Sequence, residues 1–230
     1  MEYKYASSHG HISPVLEENI KYLEQRFADC ADVVRRRLWV GANHYPVYVL
    51  YMDSMINRDL VEGDILKNLM FSLGDVPKTA PARFIMDFGM TTADVKTEGK
   101  MKDALKSVYS GDTLIFVEGE HQAIILNSKG YPNRGVQSSE SEVAIRGPKD
   151  SFTESLRVNT VLIRRRIRDS RLKTVQKVKG TRTKTDIAIM YMEDLVQQSV
   201  LDELYDRLDS FDIDGILDSG YLEPMLERQW

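Results

Sequence analysis

The chain has 230 residues, of which 42% are hydrophobic and 29% charged, and its formal net charge is −4. This composition is that of an ordinary globular protein and argues against disorder as the main state. The longest uninterrupted apolar run, Val47 to Met52, is the size of a strand, whereas a membrane-spanning helix needs about 20 apolar residues.

Residues 1–13 are expected to form a flexible tail because of their Tyr, Ser, Gly and His content, and they lack the apolar segment of a secretory signal. The single cysteine, Cys30, excludes an internal disulfide and favours a reducing compartment. Together these features predict a protein of the cytoplasm.

Residues 14–135 have the pattern of an N-terminal α/β subdomain. Helices are expected where apolar residues recur at intervals of three and four, and strands where they alternate or run together. The expected helices begin at Pro14 and cover Ile56–Phe71 and Met101–Tyr109, and the expected strands are Tyr45–Met52, Arg83–Phe88, Thr113–Val117 and Gln122–Leu126. The last two strands flank a turn that contains glycine, so they predict a hairpin.

Residues 136–230 follow a polar connection and predict a second subdomain ordered strand–helix–strand–strand–helix. Ser151 and Glu154 have the spacing of a capping box, which predicts a helix from there to about Arg168 with Phe152 on its apolar face. The other expected elements are strands over Glu142–Ile145, Lys173–Val178 and Thr185–Met192, and a final helix with an apolar stripe of Val196, Val200, Leu204 and Leu208.

No internal repeat is apparent in the amino-acid sequence. The predicted fold class is α/β (α+β), with two small subdomains that each pack helices on a short mixed sheet. The polar connection around residue 136 is the expected boundary between them.

Charge is distributed unevenly along the second half of the chain. Residues 146–184 contain 13 Lys+Arg and 3 Asp+Glu, whereas residues 185–230 contain 2 Lys+Arg and 12 Asp+Glu. Such blocks suit either an electrostatic face for a partner or two segments that fold against each other. Both interpretations stay open at this point.

No catalytic constellation can be assembled from the motifs. Gly180–Lys184 lacks the earlier glycine and the Gly-Lys-Ser/Thr end of a phosphate loop. Asp212–Gly215 resembles the middle of a calcium loop but lacks the bidentate glutamate. None of the four histidines has a cysteine or carboxylate at zinc-ligand spacing. The sequence therefore predicts no enzyme, no metal and no cofactor.

The run Arg164–Arg166 suggests nucleic-acid binding only weakly. Consecutive arginines fan around a helix instead of forming one stripe. Aromatic residues that could stack on bases are absent between Phe152 and Tyr191. Arg166 lies three residues from Ile163 and is expected to be a partly buried ion-pair partner. Nucleic acid is therefore not the expected partner.

Four segments resemble the GerA spore-germination family: Ile145–Arg157, Asn159–Ile167, Lys184–Met192 and Asp212–Tyr221. The resemblance covers most of residues 112–228, whereas the first hundred residues match only in their layout of helices and strands. The positions taken as the structural signature are Gly147, Pro148, Ser151, Glu154, Arg166, Asp218 and Gly220.

The resemblance implies the cytoplasmic amino-terminal domain of a germinant-receptor A subunit. Family A subunits continue into a membrane domain and work with B and C subunits, and with other A subunits, in the inner membrane of dormant spores. There they couple nutrient sensing to ion release. The expected location is the cytoplasmic side of that membrane, with the full-length protein integral to it. A related accessory protein of the spore ion-channel locus is the alternative identity.

Partner binding is expected on the loop before the charged helix and along that helix. A partner carboxylate could reach the basic side chains of the loop and the amino-terminal amides of the helix. The candidate residues are Arg146, Lys149, Asp150, Arg157, Arg164, Arg165 and Arg168. The competing interpretation is that Gly147-Pro148 only sets the turn and that Arg146 pairs internally with the acidic carboxy-terminal segment.

The leading hypothesis is a domain that relays a nutrient signal and mediates receptor assembly. It follows from the resemblance and from the two charge blocks. A second hypothesis is that a cleft between the two subdomains binds a small-molecule ligand, because ligands often bind between domains.

Overall fold

The structure, a computed structural model, describes residues 10–130, 152–217 and 219–226. The chain divides into two compact units: the first comprises residues 1–28 and 32–169, and the second comprises residues 29–31 and 170–230. The boundary expected near residue 136 lies outside the described residues, and the predicted division of the chain stays a prediction.

The first unit is built around a five-stranded antiparallel sheet. Its strands are β1 (Val33–Val40), β2 (Tyr45–Met52), β3 (Val95–Glu98), β4 (Thr113–Val117) and β5 (Ala123–Leu126), in the order β1-β2-β4-β5-β3. Its helical segments are α1 (Leu16–Arg26), π1 (Asp59–Leu66), α2 (Lys67–Phe71), α3 (Pro81–Phe84), π2 (Ile85–Gly89), α4 (Met101–Val108) and α5 (Leu156–Arg166).

The central strands of this sheet are buried on both faces, which explains their nearly continuous apolar sequences. Val47 of β2 lies in a core cluster with Ile65 of π1 and Leu69 of α2. Its neighbour Tyr48 points to the opposite face, as the two-residue period of a strand requires. There the Tyr48 hydroxyl donates to Glu24 of α1 at 2.5 Å. Helical layers therefore cover both faces of β2.

The second unit has a two-stranded antiparallel sheet. Its elements are β6 (Leu172–Lys179), β7 (Thr185–Met192), α6 (Gln198–Ser210), a 3-10 turn (Ser219–Tyr221) and α7 (Glu223–Leu226). The segment Asp29–Ala31 lies along the outer edge of β6. The Ala31 amide donates to the Thr174 carbonyl at 2.9 Å, and the Thr174 amide donates to the Asp29 carbonyl at 2.8 Å.

Helix α6 contacts side chains of β6. The Lys177 ammonium donates to Asp209 at 2.8 Å and lies 4.7 Å from the centre of the Tyr205 ring. Leu201 and Leu208 are buried, whereas Val200 is 48% exposed. The apolar stripe expected from the sequence is therefore wrong at Val200, because the helix buries the neighbouring residue instead.

The α+β fold class is confirmed, although the sheets of the described residues are antiparallel instead of mixed. The strand expected over Arg83–Phe88 is wrong, since these residues lie in α3 and π2. Pro81 occupies the first helical turn, where its fixed φ favours a helix. Arg83 Nε also donates to Asp87 at 2.8 Å, an i,i+4 pair that supports the helix.

Helix α5 begins at Leu156, later than the capping-box pattern predicts. Ser155 is the residue before the first turn, and its hydroxyl accepts from the main chain of that turn at 3.5 Å. Asn159 binds back to Thr153: its Oδ1 accepts from the Thr153 amide at 2.7 Å, and its Nδ2 donates to the Thr153 carbonyl at 2.8 Å. These bonds fix the start of the helix and leave Phe152 outside it, 67% exposed.

An order of helix, two eight-residue strands and helix occurs twice in the chain. The elements α1, β1, β2 and π1 begin at residues 16, 33, 45 and 59, and α5, β6, β7 and α6 begin at residues 156, 172, 185 and 198. Both hairpin turns start with a left-handed glycine, Gly41 at φ 70° and Gly180 at φ 89°. The expectation of no internal repeat is therefore wrong at the level of local structure.

Candidate interaction surface

Arg164 of α5 is buried, with only 2% of its surface exposed. Its Nε and Nη2 atoms donate to the two carboxylate oxygens of Asp32 at 2.7 and 2.9 Å. This bidentate pairing matches the planar guanidinium to the carboxylate. Because an unpaired buried charge is very unfavourable, Asp32 fixes the position of α5 within the first unit. Arg164 is therefore a structural residue and cannot belong to an exposed partner surface.

Arg166 has the opposite environment, since the structure places it on the exposed side of α5. The buried residues of the helix are Thr160, Val161 and Arg164. The expected partial burial of Arg166 is therefore wrong. The buried face of α5 runs through Val161 and Arg164, and Ile167 of the expected apolar face is 39% exposed, so Arg166 points to solvent.

Arg157 is the second residue of α5 and contacts Asp53, which directly follows β2. Its Nη1 atom is 3.3 Å from Oδ2 of Asp53, whose other oxygen accepts from Arg58 Nε at 3.1 Å. The side chain of Arg157 is 66% exposed, so its guanidinium is accessible from solvent. Arg157 and Arg58 thus share the carboxylate of Asp53, which orients Arg157 without burying it.

Arg165 and Arg168 lie at the carboxy-terminal end of α5, and both are exposed. Arg168 Nε donates to the Arg165 carbonyl at 3.2 Å. A cation at this place is favoured, because the last carbonyls of a helix carry partial negative charge. We call Arg157, Arg165 and Arg168 the arginine surface.

A shallow groove of about 210 Å³ adjoins the arginines. It is lined by Phe152, Leu162, Ile163 and Arg166. This volume suits one apolar side chain and is smaller than the usual pocket for a drug-sized ligand. The groove therefore offers an apolar contact next to cationic groups.

The other predicted partner residues, Arg146, Lys149 and Asp150, lie outside the described residues, as do the signature positions Gly147, Pro148, Ser151 and Asp218. Among the remaining signature positions, Glu154 is exposed just before α5, and Gly220 is exposed in the 3-10 turn. The part of the predicted site on the loop before the helix stays a prediction.

The basic and acidic blocks meet within the second unit. Five ion pairs of the described residues join them: Arg171–Asp194 at 2.6 Å, Lys173–Glu193 at 3.5 Å, Lys177–Asp209 at 2.8 Å, Lys179–Asp209 at 3.0 Å and Arg182–Asp214 at 3.4 Å. For these residues, the two segments fold against each other. These pairs account for five cations of the basic block, Arg171, Lys173, Lys177, Lys179 and Arg182.

In the second unit, the pKa shifts of Asp209 and Tyr191 favour the protonation states that these groups already have at neutral pH. A hydrogen bond from Lys177, and then one from Lys179, lowers the pKa of Asp209. Burial, and then the charge of Tyr205, raises the pKa of Tyr191 to about 12. Neither shift brings a group toward neutral pH, where a general acid or base would work best.

Within the described ranges, no three His, Cys, Asp or Glu side chains gather in a way that could hold a metal ion. In the same ranges, no helix combines the length and the apolar character needed to cross a bilayer. Cys30 is 1% exposed, with its Sγ 3.8 Å from the Leu172 carbonyl.

The residues that sequence reasoning misses are the partners of the arginines. Asp32 and Asp53 lie just before β1 and just after β2, outside the four segments that carry the resemblance in the sequence. Their spacing from Arg157 and Arg164 exceeds one hundred residues, so no local pattern links them. One signal is present in the sequence: Val161 lies three residues before Arg164, on the same helix face.

Comparison with known proteins gives consistent results. The family model described as Bacillus/Clostridium GerA spore germination protein matches residues 21–230. The chain is 31% identical over 219 residues to spore germination protein KA of Bacillus subtilis (strain 168), covering 95% of this chain and 40% of that protein. It is also 31% identical over 216 residues to the uncharacterized membrane protein YfkQ of the same organism, covering 94% of this chain and 42% of that protein.

A solved structure is similar as well. The crystal structure of the N-terminal domain of the A subunit of the Bacillus megaterium spore germinant receptor GerK3 superposes with a TM-score of 0.69 at 26% sequence identity. The match covers 94% of this chain and 80% of that one. The chain thus spans about two fifths of the length of the full-length relatives, but most of a solved amino-terminal domain.

Proposed function

The chain belongs to the GerA family of spore germination proteins, and from this premise we propose that it is the amino-terminal domain of a germinant-receptor A subunit that relays a nutrient signal and mediates receptor assembly. The observation that carries the proposal is the likeness to the GerK3 A-subunit domain over 94% of the chain. The full-length protein then includes a membrane part, as the name of one relative indicates for that relative.

The proposed partners are the B and C subunits and other A subunits of the same receptor, on the cytoplasmic side of the spore inner membrane. The arginine surface supports this proposal, because its cations are exposed, and Arg157 is accessible from solvent even while it contacts Asp53. Guanidinium groups bind carboxylates with directed, paired hydrogen bonds. We infer that a partner segment with acidic residues and one apolar side chain binds the arginine surface and the adjoining groove.

The test is a triple charge reversal, Arg157→Glu, Arg165→Glu and Arg168→Glu, in the full-length protein in spores. A matched control reverses Lys67, Lys78 and Lys102, which are exposed on other parts of the first unit. The fraction of spores that germinate after nutrient addition is measured for both, together with circular dichroism of the isolated 230-residue chain. We expect the arginine triple to impair germination while both chains keep their helical signal.

Two results count against the proposal. One is a normal nutrient response in spores that carry the arginine triple. The other is equal impairment by the lysine control, because any reversal of surface charge would then be sufficient.

A further inference from the structure

Strand β7 has an open outer edge in the part of the chain that the structure describes. It pairs with β6 along its full length, from Thr185 to Met192, and with no other described strand. An unpaired edge exposes a row of main-chain donors and acceptors that can pair with another chain. The question is therefore which groups of β7 point outward and what binds them.

The hydrogen-bonding pattern of the hairpin identifies the outward groups. The Glu193 amide donates to the Arg171 carbonyl at 2.8 Å, so these two opposite residues form a hydrogen-bonded pair. Such pairs alternate along an antiparallel ladder. The main-chain groups of Ile187, Ile189 and Tyr191 consequently face β6. Those of Asp186, Ala188 and Met190 face the outer edge, whereas the Met192 carbonyl accepts from the amides of Leu195 and Val196 at 3.1 and 2.9 Å.

The equivalent edge in the first unit is covered. There the Asp53 amide donates to the Asp32 carbonyl at 3.0 Å, so β2 has the same alternation as β7. Its outward residues Tyr48 and Leu50 lie opposite Phe116 and Leu114 of β4. Among the described residues, no strand lies beside β7 in the way that β4 lies beside β2.

The other sheet edges of this chain carry features that discourage pairing. Strand β1 has three consecutive arginines, Arg35 to Arg37. Strand β3 has only four residues and includes Lys96 and Glu98. Strand β6 contains three lysines and is partly covered by Asp29–Ala31. In contrast, β7 has the sequence TDIAIMYM, with neither lysine, arginine nor proline. The β7 sequence therefore lacks the residues that usually protect an edge from pairing.

We propose that β7 pairs antiparallel with β7 of a second copy of this chain, about a two-fold axis at Ile189. This register places Ala188 opposite Met190 of the second copy, so the outward residues at its centre find outward partners. Ile189 then lies opposite Ile189, and Ile187 opposite Tyr191, which are favourable cross-strand pairs. No like charges are opposed, because Asp186 is the one charged residue of the strand. This inference goes beyond the proposed function, since it assigns a particular strand and register to a contact between two copies of the chain.

Proline substitutions test the edge directly. The amide of Met190 points outward and is not part of the β6–β7 ladder, so Met190→Pro removes a donor from the edge without breaking the hairpin. The matched control is Gln176→Pro, which removes an outward amide from the other edge of the same sheet at an exposed position. Light scattering after size exclusion, over about 1 µM to about 1 mM chain, reports the molecular mass across the range of weak association.

We expect the unmodified chain and Gln176→Pro to form dimers as concentration rises, and Met190→Pro to stay monomeric with an unchanged circular dichroism spectrum. A chain that is monomeric at every concentration overturns the proposal. A dimer that survives Met190→Pro overturns it too, because the interface would then lie elsewhere.

A cysteine substitution tests the register without any proline. Ile189→Cys brings two thiols into a non-hydrogen-bonded pair, where opposite Cα atoms are about 4.5 Å apart and a disulfide fits. Gln176→Cys is the control, since it is more exposed but lies on β6. The native Cys30 is buried and does not compete. We expect a disulfide-linked dimer for Ile189→Cys alone under mild oxidation. The register is rejected if both variants cross-link equally, or if neither variant cross-links.

Discussion

Asn19 and Asn159 make the same two hydrogen bonds, each to the main chain of the residue six positions earlier. Asn19 Oδ1 accepts from the Ser13 amide at 3.0 Å, and its Nδ2 donates to the Ser13 carbonyl at 2.7 Å. Asn159 binds Thr153 in the same way at 2.7 and 2.8 Å. The repeated arrangement fastens the extended segment before α1 and before α5 to the first turns of the helix. Both occurrences of the order helix, strand, strand, helix thus contain this arrangement, although they share few side chains.

The two asparagines should therefore have parallel effects on stability. Asn19→Ala leaves a buried amide and a buried carbonyl of Ser13 unpaired, which costs about 1–3 kcal/mol. Asn159→Ala should cost less, because this site is only partly buried. Hydrogen exchange of the amides at the start of each helix measures the change locally. Asn19→Asp and Asn159→Asp each keep a side-chain oxygen that accepts from the main-chain amide, so these variants should retain part of the stability.

The outcome that contradicts this prediction is an effect at only one helix. Fast exchange at α1 in Asn19→Ala, with no change at α5 in Asn159→Ala, would mean that the second copy is held by other contacts. A global loss of protection in both variants would also contradict a local role.

The buried pair Arg164–Asp32 makes the sharpest mutational prediction. Arg164→Met leaves the carboxylate of Asp32 without its bidentate partner in a nearly buried site, and we expect a loss of about 3–5 kcal/mol in the free energy of unfolding of the first unit. Arg165→Met, one residue further along the helix and exposed, should change it by less than about 0.5 kcal/mol. Urea unfolding, monitored by the hydrogen exchange of amides in the first unit, gives both changes in the free energy of unfolding.

A second variant separates pairing from packing. In the double variant Arg164→Met, Asp32→Leu both charges are gone, so the chain should recover much of the stability lost by Arg164→Met alone. No recovery would show that the guanidinium stabilises α5 through its other contacts instead of through Asp32.

The sequence alone predicts the elements whose apolar period is regular, such as β2, β4, β7 and the hairpin β4–β5. It fails at β1, because Arg35 to Arg37 read as a polar segment although they belong to an edge strand that buries Leu38 and Val40. It also exchanges Arg164 and Arg166, because the inward face of α5 is marked by the pair of Arg164 with Asp32, 132 residues earlier, which a period count cannot detect. The first residue of the helix is missed as well, because it depends on the bonds between Asn159 and Thr153. The repeat is hidden for the same reason: hydrogen-bonding geometry is conserved where side-chain identity is not.

Alkaline pH should weaken the second unit through Tyr191. Burial, and then the charge of Tyr205, raises the pKa of Tyr191 to about 12 from an ordinary value of 10.0. Because the folded pKa lies above the unfolded one, this contribution to stability is complete below pH 10 and is lost as pH rises through about 12. Tyr191→Phe removes the titration and should flatten the loss of stability over that interval. The measurement is the urea midpoint at several alkaline pH values, and equal slopes for both chains would contradict it.

Acidic pH should weaken the same unit through Asp209. Hydrogen bonds from Lys177, and then from Lys179, lower the pKa of Asp209 below its ordinary value of 3.8. A group with a depressed folded pKa contributes stability that is complete above its unfolded pKa and is lost as pH falls through the folded one. NMR titration of the Asp209 carboxyl should therefore give a pKa below 3.8, and Lys177→Met should raise it toward that value. Lys106→Met, which removes a similar exposed lysine from Asp103 in the first unit, is the matched control and should leave Asp209 unchanged. If Asp209 titrates at its ordinary value in the unmodified chain, the two charge blocks do not interact through this carboxylate in solution.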